Sequence, residues 1–318
     1  SSAVAPPAGA TKDQLGGIDP ADIGTLTPDQ VTALDVSALG SFDKDQVSDL
    51  AATAVGGLTK DQIAGLDSTA VGGFSADQVS ALDPTAVAGF DRDQIAGLGA
   101  SAVSGLSADQ VQALDADAIA GFKPDQISGL ATSAISVLDA TKVANLTATA
   151  VSAFNKVQLN SLDPAAMGGF KRDQVAGLDE TAVGGLTAAQ VGSLDPLAVT
   201  GFKKDQVSGL DATAINGLTA DQMTALDPTA ISGFKSDQLA NLDASAVSGL
   251  TADQITAIDA AALNGFKKDQ LASLDDTAVG GLTAAQVTAL DSDAMSGFKK
   301  DQVGGLDTAA VKGLTADQ

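Results

Sequence analysis

The sequence contains no cysteine, histidine, tryptophan or tyrosine, and only one glutamate, Glu180, among its 40 acidic residues. Without Cys there are no disulfides and no thiolate metal sites. Without His or Cys, and with a single Glu, the usual nucleophile, base and metal constellations cannot be assembled, so no enzyme is expected. A net charge of −23 disfavours nucleic acid and anionic lipid, which need basic patches. No apolar run approaches the roughly 20 residues of a membrane span, so no membrane insertion is expected.

What is present is small and aliphatic. Apolar residues reach 44% of the 318, too many for a disordered chain of this charge. They recur with a fixed period. From Ile18, every eighth residue through Leu26, Leu34, Phe42 and on to Leu314 is Leu, Ile or Phe. With this as position one of an octad, position six is always Val, Ile, Leu or Met, from Ile23 to Val311. Position five alternates Gln and Ala, broken only by Asp22 and Lys142, so the full unit is two octads. All ten Phe occupy position one.

Local chemistry makes each octad a short helix. The seven Pro within the repeats, such as Pro28, Pro84 and Pro228, all stand at position three. Pro suits the first helical residue, where its missing N–H costs nothing. Position two is then the N-cap, mostly Asp, Thr or Ser, and Gln at position five completes a capping box. Positions one and six form a hydrophobic staple. Gly at position eight is expected to be the left-handed residue that ends a helix. Helices this short need neighbours, so the expected fold is an all-α solenoid with one very short helix per octad. A β-solenoid is the alternative, disfavoured by Pro at the first helical position and by Ala and Asp, which are poor strand residues. The superhelix is expected to close on a multiple of the two-octad unit. The Gln column is a candidate buried hydrogen-bonded ladder that specifies register.

The expected organisation is a leader over 1–10, then a continuous solenoid over 11–318, degenerate around 137–161 where Val137, Lys142 and Val157 leave the pattern. The sequence breaks off inside a repeat at Asp317-Gln318, and a longer natural chain is expected. The motif Leu-Thr-x-x-Gln-Val-x-Ala-Leu, as in Leu26–Leu34 and Leu282–Leu290, resembles octapeptide-repeat regions of large bacterial secreted and surface proteins. The resemblance covers the chain from about Thr11 and implies an extracellular or cell-surface structural role, as a filament subunit or adhesin stalk.

Four surface features carry candidate functions. Asp ladders at positions two and four offer the oxygen ligands Ca²⁺ takes, most densely at Asp43 with Asp45, Asp91 with Asp93 and Asp115 with Asp117. The competing reading is capping and solvation, and no other cofactor is expected. Thr rows (Thr69, Thr85, Thr181, Thr213, Thr229) would make a flat ice-binding face or an ordinary helix surface. A repeated face for Ca²⁺, ice or glycan is thus the alternative function. Lys pairs (Lys203-Lys204, Lys267-Lys268, Lys299-Lys300) are candidates to bridge to Asp rows of another subunit, with pairing to Asp in adjacent layers the favoured expectation. Open solenoid ends favour head-to-tail assembly, with Ser1, Ala3, Val4, Leu306, Val311 and Leu314 as the candidate contacts. The expected partner is therefore the chain itself or the rest of a longer surface protein.

Overall fold

In the computed structural model, which describes residues 20–318, the chain is helical throughout and the described residues contain no strand. The all-α solenoid is therefore the fold, and the β alternative falls. The chain divides into two compact units, one ending at Ala153 and the other starting at Phe154. The same coil geometry recurs within each. The leader and the first repeat residues lie outside the described residues.

The two octad types make helices of different length. Gln octads give mostly six-residue helices at positions three to eight, such as Lys44–Asp49, Ala76–Ala81 and Lys204–Gly209. Ala octads give four-residue helices at positions three to six, such as Val36–Leu39, Pro84–Val87 and Pro228–Ile231. Two Ala octads tighten to 3-10 turns, Ala70–Gly73 and Val183–Gly185. The run Thr-Ala-Val-Gly-Gly does not dictate this, since it also closes the α-helix Asp276–Val279.

Caps hold the starts. Thr59 and Ser75 accept from the N–H at position five, while Gln62 and Gln78 accept from the cap's own N–H. In Ala octads, Asp83 accepts from the N–H of Thr85, one residue nearer. Lys123, Lys171, Lys203, Lys235, Lys267 and Lys299 stand at the cap position with no acceptor to offer, and only the Gln half of the box forms there.

Within each unit, every contact between helical elements joins elements three apart in chain order. Three octads therefore make one coil, and helix n rests on helix n+3. This corrects the expected even number. Three is odd, so every Gln octad stacks on an Ala octad. Either type can take the place because both carry the same core residues. Position one from Leu26 to Leu290 is buried at 5% exposure or less, and position six from Ile23 to Val287 is buried throughout. Each buried Leu, Val or Phe contributes about 1.5–3 kcal/mol, which short helices lack on their own. Phe74 and Phe90, two octads apart, share a coil and meet edge to face at 6.4 Å.

Candidate functional site: the lock between coils

The Gln residues at position five are the most heavily used side chains in the molecule. Gln94 is 1% exposed. Its Oε1 accepts from the N–H of Asp91 at 2.9 Å. Its Nε2 donates to the carbonyls of Ile63 and Leu66, both at 2.7 Å, in the preceding coil. Both amide hydrogens and the carbonyl oxygen are thus engaged. The same pattern, reaching 31 and 28 residues back, recurs at Gln62, Gln78, Gln110, Gln206, Gln222, Gln254 and Gln286. The expected Gln column is therefore buried and hydrogen-bonded, with its links running from Gln to backbone. Each Gln ties one helix start to the backbone of the coil below, and a buried carbonyl without a partner is costly.

Position seven of the Gln octads supplies a second tie, which the sequence reading missed. Thr32, Thr224, Thr256 and Thr288 donate to the carbonyls of Gly57, Gly249, Gly281 and Gly313, each 25 residues ahead. Asn160 does the same to Gly185. The signal was the 32-residue recurrence of Thr at 224, 256 and 288.

Glycine at position eight has a different role from the one expected. The four-residue helices end one residue earlier, at position seven, in a right-handed residue such as Gly56 at φ −61° and ψ −15°, and position-eight glycines such as Gly57, Gly105 and Gly201 do not adopt positive φ. Close approach is the reason for glycine. A Cβ on Gly105 would lie 2.2 Å from the carbonyl oxygen of Ala76, and on Gly201 2.1 Å from that of Arg172. From Gly57 on, the Ala octads of unit one keep this glycine except at Val137 and Ala153. Lys142 stands there in place of Gln, with Nζ donating to the Gln112 carbonyl at 2.9 Å and lying 3.9 Å from Asp139. That is the ion pair found among the described residues; the Lys pairs expected to bridge to Asp do not do so there.

The Asp candidates are exposed. Asp43 and Asp91 cap their helices by accepting from the N–H of Gln46 and Gln94, and Asp115 accepts from Asp117. Among the described residues, no group of three His, Cys, Asp or Glu is placed to hold a metal ion. Thr69, Thr85 and Thr213 donate their hydroxyls to Asp67, Asp83 and Asp211 at 2.5–2.6 Å, and Thr181 and Thr229 to Asp179 and Asp227. These hydroxyls, with those of Ser37, Ser245 and Thr277 and followed by the backbone N–H groups beside them, hold the eight carboxyls of Asp35, Asp67, Asp83, Asp179, Asp211, Asp227, Asp243 and Asp275 below their ordinary 3.8. The Thr do not share one face: Thr69 and Thr85 lie two octads apart, on different sides of a three-octad coil.

Two surface grooves are related by a 16-residue step. One is bounded by Lys156, Gly185, Asp211 and Thr213, the other by Arg172, Gly201, Asp227 and Thr229. They are corners of the repeat rather than unique sites. Of the assembly candidates, Ser1, Ala3 and Val4 lie outside the described residues. Leu306 is half-buried, and Val311 and Leu314 are 44% and 40% exposed. No helix among the described residues is long and apolar enough to cross a membrane. Neither the family models nor the curated proteins compared with the chain match it.

Proposed function

We propose that the chain is an extracellular structural repeat protein, a filament subunit or surface-fibre stalk, with no catalytic role. One observation carries this reading: the polar side chains singled out by the repeat are spent on joining one coil to the next. Gln closes three backbone groups per copy, Asp and Thr close helix starts, and this set recurs along the chain, with Lys142 standing in for one Gln. A three-octad coil also spreads each surface residue type around three sides, which works against a flat repeated binding face.

Val303, Val311 and Leu314 are 51%, 44% and 40% exposed, whereas position six from Ile23 to Val287 and position one from Leu26 to Leu290 are buried. A coil from a second copy, or a further coil of a longer surface protein, covers such rows by the same interlock. The test is sedimentation and electron microscopy over a range of concentration. End-to-end species that disappear in the Val303→Asp/Val311→Asp variant support the reading. Monomers alone at high concentration overturn self-assembly, and a Ca²⁺-dependent gain in thermal stability would favour a binding face instead.

A further inference from the structure

Two asparagines in this chain precede a glycine: Asn216-Gly217 and Asn264-Gly265. They lie six octads apart, two full coils, and so on the same side. Both asparagines are exposed. Both glycines are held where nothing larger fits: a Cβ would meet the Ala188 carbonyl oxygen at 1.8 Å from Gly217, and that of Ser236 at 2.0 Å from Gly265.

An Asn-Gly pair deamidates when the glycine nitrogen loses its proton and attacks the asparagine Cγ. Ammonia leaves, a five-membered imide forms, and water opens it at either carbonyl. The products are aspartate, or isoaspartate with one extra methylene in the main chain. The folded coil blocks the first step twice. The N–H of Gly217 donates to the Ala214 carbonyl, and that of Gly265 to the Ala262 carbonyl, both at 3.0 Å. The asparagines also sit at ψ −17° and −12°, helical values that hold the glycine nitrogen away from Cγ. Asn264 is further tied by the Ser236 hydroxyl, which donates to its Oδ1 at 2.5 Å.

We propose that Asn216 and Asn264 are modification sites guarded by the closed coil, and that isoaspartate at either one prevents the coil from closing again. The aspartate product keeps the main-chain length and can refold. The isoaspartate product pushes Gly217 or Gly265 along the chain, away from the one place that admits it against the coil below. Opening of this side of the solenoid is thereby recorded as a one-way lesion.

The test ages the full chain at mildly alkaline pH, folded in buffer and unfolded in urea. The urea sample is then refolded by dilution, and folded and unfolded fractions are separated and peptide-mapped. Deamidation at both sites should be about tenfold or more slower in the folded sample, as expected of a reaction that waits on local opening. After refolding, isoaspartate at 216 and 264 should be confined to the unfolded fraction, with aspartate in both. The Asn216→Gln/Asn264→Gln variant, aged in urea, should refold fully. Equal rates in the two samples overturn the guarding. IsoAsp-bearing chains in the folded fraction, or a variant that still loses refolding, overturn the block.

Discussion

At Gln94 one carboxamide closes three backbone groups that would otherwise be buried without partners: the N–H of Asp91 and the carbonyls of Ile63 and Leu66. Leucine fills nearly the same volume and closes none of them. Each buried polar group left open costs about 1–3 kcal/mol, so Gln94→Leu is expected to destabilise unit one by roughly 3 kcal/mol or more, read as a fall in the urea midpoint. Glycine makes a second residue-scale case. Gly105→Ala sets a methyl 2.2 Å from the Ala76 carbonyl oxygen, an overpacking worth about 1–3 kcal/mol of destabilisation. Gly304, inside the helix Lys300–Gly305, has nothing within 4 Å of its Cβ position. There the same substitution should stabilise by about 0.5–1 kcal/mol through helix propensity. Denaturant titration of the two variants should give opposite signs.

For the short helices, starts matter more than interiors, because a four-residue helix such as Pro84–Val87 is little more than its cap. In eight of the Ala octads, that of Asp83 among them, the cap is a carboxylate held by a Thr or Ser hydroxyl and by backbone N–H. A carboxyl whose folded value is depressed adds stability that is fully present above its ordinary 3.8 and is lost as pH falls through the lower, folded value. Acid unfolding should therefore set in below about pH 3.8. Thr85→Val, which removes the largest contribution at Asp83, should lessen that loss, as measured by thermal melts from pH 5 down to 2. This scale was the most legible from sequence. Pro at position three, Asp or Thr before it and Gln three residues after the cap each name a backbone atom that needs a partner, and local chemistry decides them. The role of glycine was not legible. The pattern that would mark a left-handed end is the same one that marks a close approach, and only the position of the neighbouring coil separates them.

At the scale of the whole molecule, the number of octads per coil was hidden, because the sequence repeats at 8, 16 and 32 residues but the coil closes on three octads. Nothing in Leu26 or Val31 distinguishes the two octad types to the core, so the type alternation and the coil run independently. The candidate lock was half legible: Gln at position five was visible as a buried column, while its carbonyl partners 28 and 31 residues back were not. An odd coil has a consequence that intuition about repeats would miss. Removing two octads, such as 210–225, keeps Gln octads on Ala octads. Removing one complete coil, 210–233, stacks Gln octads on Gln octads and brings Asn241 and Ala257 to places where Gly217 and Gly233 now meet the Ala188 and Lys204 carbonyl oxygens at 1.8 and 2.2 Å. Thermal unfolding of these two deletions, followed by circular dichroism, tests the stacking most directly. The shorter deletion should keep the helical spectrum and a single cooperative transition near that of the parent, while the whole-coil deletion should melt lower and more broadly. A whole-coil deletion as stable as the parent, paired with a damaged two-octad deletion, would contradict the three-octad alternating coil.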